Sequence, residues 1–191
     1  MKITVVTSNA NKAREVRAFF HGIAEVDYVS LECPEFRSDD VGAIAREKAR
    51  FAYKTLHVPL IVDDTGFFIT ALSGFPGPYA AYVLDTIGIP GILRLMEGEA
   101  DRNAYFETAI AYADDEGIEI FRGRISGRIV APRGDGGFGY DPIVEVGSRT
   151  LAEMPLAEKS RISHRGQAIA AFRSWLIARR EKPSPGHHTN C

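Results

Sequence analysis

Hydrophobic positions repeat with two different periods in the first part of the chain, which predicts strands alternating with helices. Lys2 to Thr7 is a run rich in β-branched residues, and it predicts a buried first strand. After a polar turn, Val16, Phe19 and Phe20 recur at helical spacing, so a helix is expected there. The segment Ala24 to Leu31 predicts a second strand.

The pattern then repeats and ends on charged residues. Asp39 and Asp40 suit the N-terminus of a helix that continues to about Leu56. The apolar run 59–62 predicts a short buried strand that stops at a pair of carboxylates. We therefore expect an α/β fold in which helices cover a sheet and ligands bind at the carboxyl ends of strands.

The second half of the chain is expected to contain longer strands. A loop over 73–79 precedes two helical stretches that end near Glu97. The segments Phe106 to Ala113 and Ile118 to Val130 predict antiparallel strands joined by a short acidic turn that contains glycine. A glycine-dense loop follows over 134–139.

The last predicted helix starts at Ser163 and reaches about Arg180. Residues 182–191 contain two prolines, one glycine and two histidines, and they are expected to form a disordered tail. The chain length corresponds to one domain, so we expect residues 1–181 to form a single folded domain.

The composition is typical of a soluble globular protein, with 191 residues, 45% of them hydrophobic and 25% charged. A net charge of −2 argues against a protein that holds nucleic acid by bulk charge. The uncharged stretch Thr65 to Leu84 is broken by glycine and proline, unlike a membrane-spanning helix. Cys33 and Cys191 are too few for a disulfide framework, so we expect a soluble protein in the reducing cytoplasm.

The first polar cluster follows the first strand and opens the first helix. It consists of Thr7-Ser8-Asn9-Ala10-Asn11-Lys12. Small and hydroxyl-bearing residues let backbone N–H groups approach an anion, and Lys12 adds a positive charge. The cluster lacks the glycines of a P-loop, and the alternative is an ordinary turn between strand and helix.

The second polar cluster is acidic and follows the predicted strand at 59–62. It consists of Asp63-Asp64-Thr65-Gly66. Two adjacent acids repel each other unless a cation or a donor separates them, and carboxylate oxygens suit Mg²⁺. Glu35 is a further acid at a strand end that is able to complete such a site. The alternative is a pair of solvated acids that cap the next element.

The third cluster combines glycine with aromatic residues. It consists of Gly136-Gly137-Phe138-Gly139-Tyr140-Asp141-Pro142. In extended backbone Phe138 and Tyr140 lie on the same side and suit stacking on a flat ring; alternatively, both belong to the core. Further along, His164 and Arg165 fall in the first turn of a helix, where cations oppose the helix dipole unless a bound acceptor compensates. With Lys159 as a candidate phosphate partner, the clusters together indicate a nucleoside polyphosphate.

The motifs occur together and in a fixed order. They are Thr7-Ser8-Asn9 with Lys12, Pro34-Glu35, Asp63-Asp64-Thr65-Gly66, Ser73-Gly74-Phe75-Pro76-Gly77-Pro78-Tyr79, Gly137-Phe138-Gly139-Tyr140-Asp141-Pro142, Ala152-Glu153-Met154, and Glu158-Lys159 with Ser163-His164-Arg165. In this combination, from residue 2 to about 176, the chain resembles the inosine triphosphate pyrophosphatase family, whose members hydrolyse ITP, dITP and XTP.

The resemblance implies more about fold and chemistry than the motifs alone. It implies an elongated mixed β-sheet flanked by helices, with two lobes and a central nucleotide cleft, and usually a homodimer. It also implies Mg²⁺ dependence and cleavage between the α- and β-phosphates, which gives the monophosphate and pyrophosphate.

The resemblance also implies roles by position. Asp64 corresponds to the catalytic carboxylate and a metal ligand, and Glu35 corresponds to the second metal ligand. Residues 7–12 and Lys159 correspond to the triphosphate-binding residues, and Thr65 corresponds to a nearby substrate contact. The base pocket corresponds to Phe138, Gly139, Tyr140, Asp141, His164 and Arg165.

Two positions depart from many members of that family. Asp63 stands where many members have Glu, and Arg37 stands where many have Gln, which adds a charge near the proposed metal. Three other interpretations stay open: a Maf-like pyrophosphatase that acts on modified pyrimidines, a nucleic-acid-binding module that stacks bases on Phe138 and Tyr140, and a purely structural α/β protein.

Overall fold

The computed structural model describes residues 2–7, 9–20 and 25–181. The strands are β1 Lys2–Val6, β2 Glu25–Val29, β3 Leu60–Ile69, β4 Pro76–Gly77, β5 Asn103–Asp114, β6 Gly117–Ile129, β7 Val144–Val146 and β8 Arg149–Thr150. The helices are α1 Ala10–Phe20, α2 Val41–Leu56, α3 Ala80–Thr86, α4 Gly88–Leu95, α5 Leu156–Ile162 and α6 His164–Glu181, with single 3-10 turns at Thr70–Leu72, Asp141–Ile143 and Leu151–Glu153.

Within these described ranges the eight strands form one mixed sheet, which confirms the expected α/β fold. The strand order is β2-β1-β3-β5-β6-β7-β8, and β4 pairs with β3. β1 runs parallel to β2 and β3, whereas the remaining pairs are antiparallel. The predicted hairpin is correct: β5 and β6 pair from Asn103 opposite Arg128 to Asp114 opposite Gly117.

Helices cover both faces of the sheet because successive side chains of a strand point in opposite directions. On one face Ile61 and Ile110 pack with Phe20 of α1 and Phe172 of α6. On the other face Val62 and Ala109 pack with the alanines of α2, which are Ala45, Ala49 and Ala52. The predicted start of α2 at Asp40 is confirmed, since Asp40 Oδ1 accepts a hydrogen bond from the N–H of Gly42 at 2.9 Å.

A third apolar cluster lies where the end of β3, the start of β5 and the end of β6 meet. Phe67 and Phe106 pack there with Ile92 and Met96 of the α4 region and with Ile143 of a 3-10 turn. The two helical stretches expected to end near Glu97 are confirmed as α3 and α4, whereas the short strands and 3-10 turns of this region were not predicted. The division into two lobes with a central cleft stays a prediction from the resemblance.

The prediction for the strand before the acidic pair is wrong in length. The strand does not stop at Val62; β3 continues through the acids to Ile69. Asp63 lies opposite Ile110 and Asp64 lies opposite Ala109 in the antiparallel ladder with β5. A long antiparallel partner thus carries the strand through two charged residues that a local pattern treats as its end.

The last helix begins as predicted. The Oγ of Ser163 accepts a hydrogen bond from the N–H of Gly166 at 3.0 Å, which caps the first turn of α6. None of the helices in the described ranges is long and apolar enough to cross a membrane. The predicted tail, residues 182–191, lies outside the described residues.

Candidate active site

A cavity of about 960 Å³ lies beside the carboxyl end of β1 and the middle of β3. The segment 30–37 lines one part of it, and the start of α3 lines another. The polar residues that line it and enter the argument below are Thr7, Asn9, Lys12, Glu35, Lys48, Asp63, Asp64 and Thr65. Six of the predicted site residues thus line one cavity: Thr7, Asn9, Lys12, Glu35, Asp64 and Thr65.

The acidic pair is divided between the two faces of the sheet. Because Asp63 and Asp64 are adjacent in β3, their side chains point to opposite faces. Asp63 lies with Lys12 and Arg165, whereas Asp64 lies with Lys48. The repulsion expected between two neighbouring acids is therefore relieved by giving each acid its own cation.

Asp63 is held as a carboxylate. Its Oδ2 lies 3.1 Å from the Nζ of Lys12 and 3.2 Å from the Nε of Arg165. Burial by itself raises the pKa of Asp63, but the two cations outweigh burial and hold the pKa at about 2. Asp63 thereby fixes one side chain from α1 and one from α6 next to the cavity.

Asp64 is buried and has a different electrostatic setting. Its Oδ1 accepts a hydrogen bond from the Nζ of Lys48 at 2.5 Å. Burial raises the pKa of Asp64, and the attraction of Lys48 offsets only part of that rise. The increased proton affinity of Asp64 suits a group that orients a water molecule or accepts its proton.

Lys48 was not among the predicted site residues. It lies in α2 four residues after Ile44, and both residues line the cavity. A lysine at this position interrupts the otherwise apolar stripe that α2 turns toward the sheet. That interruption was the available signal in the sequence.

The first polar cluster forms the turn into α1. The Oγ1 of Thr7 accepts from the N–H of Asn9 at 3.1 Å, and the Oδ1 of Asn9 accepts from the N–H of Lys12 at 3.3 Å. Ala10 and Asn11 form the start of α1, and Ser8 lies outside the described residues. The residues that form this turn also line the cavity. The interpretation as an ordinary turn and the interpretation as an anion-binding site are therefore compatible.

The carboxylates at the cavity fit a magnesium ion. Glu35 is exposed and lines the same cavity as Asp64. No group of three or more metal-binding side chains occurs in the part of the chain that the structure describes. Mg²⁺ nevertheless commonly uses one or two protein carboxylates and completes its shell with water and substrate phosphates. Asp64 and Glu35 supply that number.

His164 and Arg165 are connected to the cavity through two threonines. The Nη2 of Arg165 donates to the Oγ1 of Thr65 at 3.2 Å. Thr65 Oγ1 lies 2.7 Å from Thr108 Oγ1, which in turn lies 2.6 Å from the Nδ1 of His164. The His164 ring stacks on Phe106 with centroids 5.1 Å apart.

The expected conflict between two cations and the helix dipole does not arise. Burial lowers the pKa of His164 well below 6.5, and the charges of Arg165 and Lys159 lower it further, so the imidazole is neutral near pH 7. Arg165 is buried and its charge is matched by Asp63. No bound acceptor is therefore needed to offset unfavourable charge at the start of α6, because His164 is neutral and Asp63 pairs with Arg165.

The neutral state of His164 predicts a pH dependence of stability. Below about pH 6.5 the unfolded chain binds a proton at this position and the folded chain does not, so the free energy of unfolding falls as the pH falls. The contribution is at most about 1.4 kcal/mol per pH unit. Melting temperatures measured from neutral to mildly acid pH should fall less steeply in His164→Gln than in the natural protein; equal slopes would contradict a buried neutral His164.

The two aromatic residues of the third cluster do not lie on the same side. Gly137 and Gly139 have φ of 71° and 65°, so the chain turns here and is not extended. Tyr140 is 3% exposed, stacks on Phe67, and donates its hydroxyl to the carbonyl of Ala80 at 2.9 Å. Phe138 is 37% exposed. The expectation of a shared face is wrong, and the core alternative holds for Tyr140.

Lys159 lies with Phe138 and Asp141. Its Nζ is 2.5 Å from the Oδ2 of Asp141, which also accepts from the N–H of Phe138 at 2.7 Å. The Nζ lies 4.3 Å from the centre of the Phe138 ring. Lys159 is not among the described residues that line the cavity, so its assignment to the triphosphate stays a prediction.

The predicted site residues thus form two groups that meet at Arg165. One group lines the cavity around Asp64, and the other surrounds Phe138 and Lys159. Arg165 contacts Asp63 and Thr65 of the first group, while the neighbouring His164 is close enough to Lys159 for its pKa to be affected. The group around Asp64 contains cations and carboxylates, and the group around Lys159 contains the exposed aromatic ring of Phe138.

Comparison with known proteins gives the family. The Ham1 family model matches residues 3–175. This chain belongs to the Ham1 family. Among curated Ham1 relatives, the dITP/XTP pyrophosphatase of Thermococcus kodakarensis is 46% identical over 92% of this chain and 97% of that protein. The inosine triphosphate pyrophosphatase 1 of Trypanosoma cruzi is 42% identical over 91% of each chain.

A solved Ham1 structure has the same fold. The Ham1 protein of Staphylococcus aureus superimposes with a TM-score of 0.85 and 28% identity, over 94% of this chain and all of that chain. The resemblance drawn from the ordered motifs is therefore confirmed at the level of family and fold.

Proposed function

We propose that this Ham1 protein hydrolyses the non-standard purine nucleoside triphosphates ITP, dITP and XTP to the monophosphate and pyrophosphate. The observation that carries the proposal is the acidic pair of β3, whose two carboxylates are separated onto opposite faces and matched by different cations beside one cavity. The relatives from Thermococcus kodakarensis and Trypanosoma cruzi are named as pyrophosphatases of dITP, XTP and inosine triphosphate, which supports the same substrate class.

The triphosphate binds in the cavity. Lys12 and Lys48 supply positive charge there, and α1 begins beside the cavity, where the helix dipole favours an anion. Both lysines are paired with aspartates, so their side chains are already oriented before substrate binds. Such prior orientation reduces the entropy that binding must offset.

Asp64 and Glu35 hold a Mg²⁺ ion in this proposal. When bound, the ion neutralises charge on the phosphate oxygens and on the leaving pyrophosphate. Asp64 orients the attacking water and takes up its proton, a role favoured by its raised proton affinity. Lys48, donating to Oδ1 of Asp64, fixes the direction of that carboxylate and adds positive charge near the transferred phosphate.

The base is recognised by the second group of predicted site residues, which surrounds Phe138 and Lys159, together with His164 and Arg165. Hypoxanthine has an acceptor at C6 and an N–H at N1, whereas adenine has the opposite pair. Donors from His164 and Arg165 match the C6 carbonyl, and the exposed ring of Phe138 provides a stacking surface. A purine with the wrong edge leaves buried polar groups without partners, which is costly.

A panel of triphosphates tests the substrate class, the bond and the metal together. Pyrophosphate release is measured for ITP, dITP, XTP, GTP and ATP, with Mg²⁺ and with a chelator. We expect metal-dependent pyrophosphate from the first three and slow turnover of ATP and GTP. An ITP analogue with a methylene bridge between the α- and β-phosphates should be resistant; release of orthophosphate from that analogue would contradict cleavage at the α–β bond.

The assembly and location are part of the same proposal. We place the enzyme in the cytoplasm, where its substrates are made, as a homodimer. Light scattering should give twice the mass of one chain, and a mass equal to one chain at assay concentrations would contradict the dimer.

A further inference from the structure

Thr108 is a buried residue that no part of the mechanism above uses. It lies in β5, has no exposed surface, and joins Thr65 Oγ1 to His164 Nδ1 through its hydroxyl, with distances of 2.7 and 2.6 Å. A polar side chain at a fully buried strand position needs partners for both its hydrogen and its lone pairs. Here the partners are two residues of the proposed site.

Arg165 stands at one end of a series of hydrogen bonds that runs through Thr65 and Thr108 to His164, and it fixes the direction of the first bond. A guanidinium only donates, so Thr65 Oγ1 must accept the bond from Arg165. Because a hydroxyl oxygen has two lone pairs, the bond between Thr65 and Thr108 is possible in either direction. Thr65 is assigned as the donor, since Arg165 already occupies one lone pair of its oxygen. With Thr108 accepting from Thr65, its own hydrogen is assigned to Nδ1 of His164.

His164 accepts at Nδ1 and therefore carries its hydrogen on Nε2, since the imidazole is neutral. No fully buried side-chain nitrogen or oxygen within the described ranges lacks a hydrogen-bond partner. Nε2 contacts none of these residues, so it must reach solvent. The series of hydrogen bonds thus leaves Nε2–H of the largely buried His164 as a donor that none of them uses.

We propose that Thr108 is a positioning residue that fixes His164 as the Nε2–H tautomer, so that the ring offers a donor to the C6 carbonyl of a non-standard purine and rejects the C6 amino group of adenine. The selectivity part rests on the proposed function. The tautomer part rests on the hydrogen-bond geometry together with the neutral state of the buried imidazole.

The reason for needing such a residue lies in imidazole chemistry. A neutral imidazole is able to carry its hydrogen on either nitrogen, and the partner of one nitrogen decides what the other presents. Without Thr108, Nε2 is free to present a lone pair, which accepts from an adenine amino group. Arg165 cannot make that change, because it has no acceptor.

Two variants separate the hydroxyl from the shape of Thr108. Thr108→Val keeps the branched shape and removes the hydroxyl, whereas Thr108→Ser keeps the hydroxyl and removes the methyl group. We expect the ratio of kcat/KM for dITP over dATP to fall about tenfold in the valine variant, through a higher KM for dITP, and to stay within about twofold of the natural ratio in the serine variant. A merely structural role would lower kcat for both substrates by the same factor.

Nitrogen NMR of the ligand-free protein near neutral pH tests the tautomer directly. The chain has five histidines, and the spectrum of His164→Gln identifies the resonances of His164. We expect a pyridine-type Nδ1 and a pyrrole-type Nε2 in the natural protein and in Thr108→Ser, and a mixture of tautomers in Thr108→Val.

The outcomes are distinguishable. A pyrrole-type Nδ1 in the natural protein, or an unchanged tautomer in Thr108→Val, would overturn the role of Thr108. A changed tautomer with an unchanged dITP/dATP ratio would overturn its link to selectivity. If the natural protein hydrolyses no purine triphosphate, the proposed function and the selectivity both fail, and the NMR result still decides the tautomer.

Discussion

Asp64→Asn is expected to lower kcat/KM for dITP by about a thousandfold and to leave the fold intact. The substitution removes the negative charge and the proton affinity of the group proposed to activate water, an effect of about two to four powers of ten for a general base. The fold should survive because an asparagine oxygen still accepts the hydrogen bond that Lys48 donates to Oδ1. Pyrophosphate release and the melting temperature are the two measurements.

The matched control for this prediction is Asp115→Asn. Asp115 is exposed in the turn between β5 and β6, so the same chemical change there should leave kcat/KM as in the natural protein. Activity of Asp64→Asn within a few-fold of the natural protein would remove Asp64 from the catalytic role. Loss of the folded state in the same variant would mean that the ion pair with Lys48 is needed for stability.

The pattern of residues along the chain was sufficient to predict those elements that are determined by a few neighbouring residues. The helix after Asp40 and the hairpin of β5 and β6 were predicted because a capping side chain and a short turn determine them within a few residues. The length of β3 was not predictable in this way. Its last part is held by pairing with β5, from Asp63 opposite Ile110 to Ile69 opposite Ala104, and that partner lies some forty positions later in the chain.

The candidate site shows the same limit. The motifs predicted Asp64 and His164 as site residues, but they did not indicate Thr108, a threonine within an alternating strand that looks like any other strand residue. Tyr140 illustrates the opposite error, because two positive-φ glycines turn a chain that was expected to be extended. A hydrogen-bond network that joins β3, β5 and α6 is a property of tertiary contacts, so no single segment encodes it.

The position of His164 depends on how closely α6 approaches the sheet. Gly123 of β6 lies directly opposite Thr108 of β5 in the ladder, and the start of α6 packs over it. A Cβ at Gly123 would lie 2.0 Å from the carbonyl oxygen of His164 and 2.7 Å from the backbone nitrogen of Ala168. The absence of a side chain at Gly123 therefore lets the helix come near enough for Thr108 to reach His164 at 2.6 Å.

Gly123→Ala is expected to destabilise the protein by about 3 kcal/mol, or about 10 °C in melting temperature. An alanine normally favours a strand over glycine by about 0.5–1 kcal/mol. Here the clash is with backbone atoms, which cannot rotate away, so α6 must shift and the overlap outweighs that gain. The shift should also break the bond between Thr108 and His164, and the preference for dITP over dATP should fall as it does in Thr108→Val.

Ser126→Ala is the control for Gly123→Ala, because Ser126 is an exposed residue of the same strand. It should melt within about 1–2 °C of the natural protein, since surface substitutions change stability by about 0.5 kcal/mol or less. A melting temperature of Gly123→Ala equal to that of Ser126→Ala would contradict the close approach of α6 to β6. If the Gly123→Ala protein melts early and keeps the natural dITP/dATP ratio, the recognition of the base does not depend on the seating of α6 on β6.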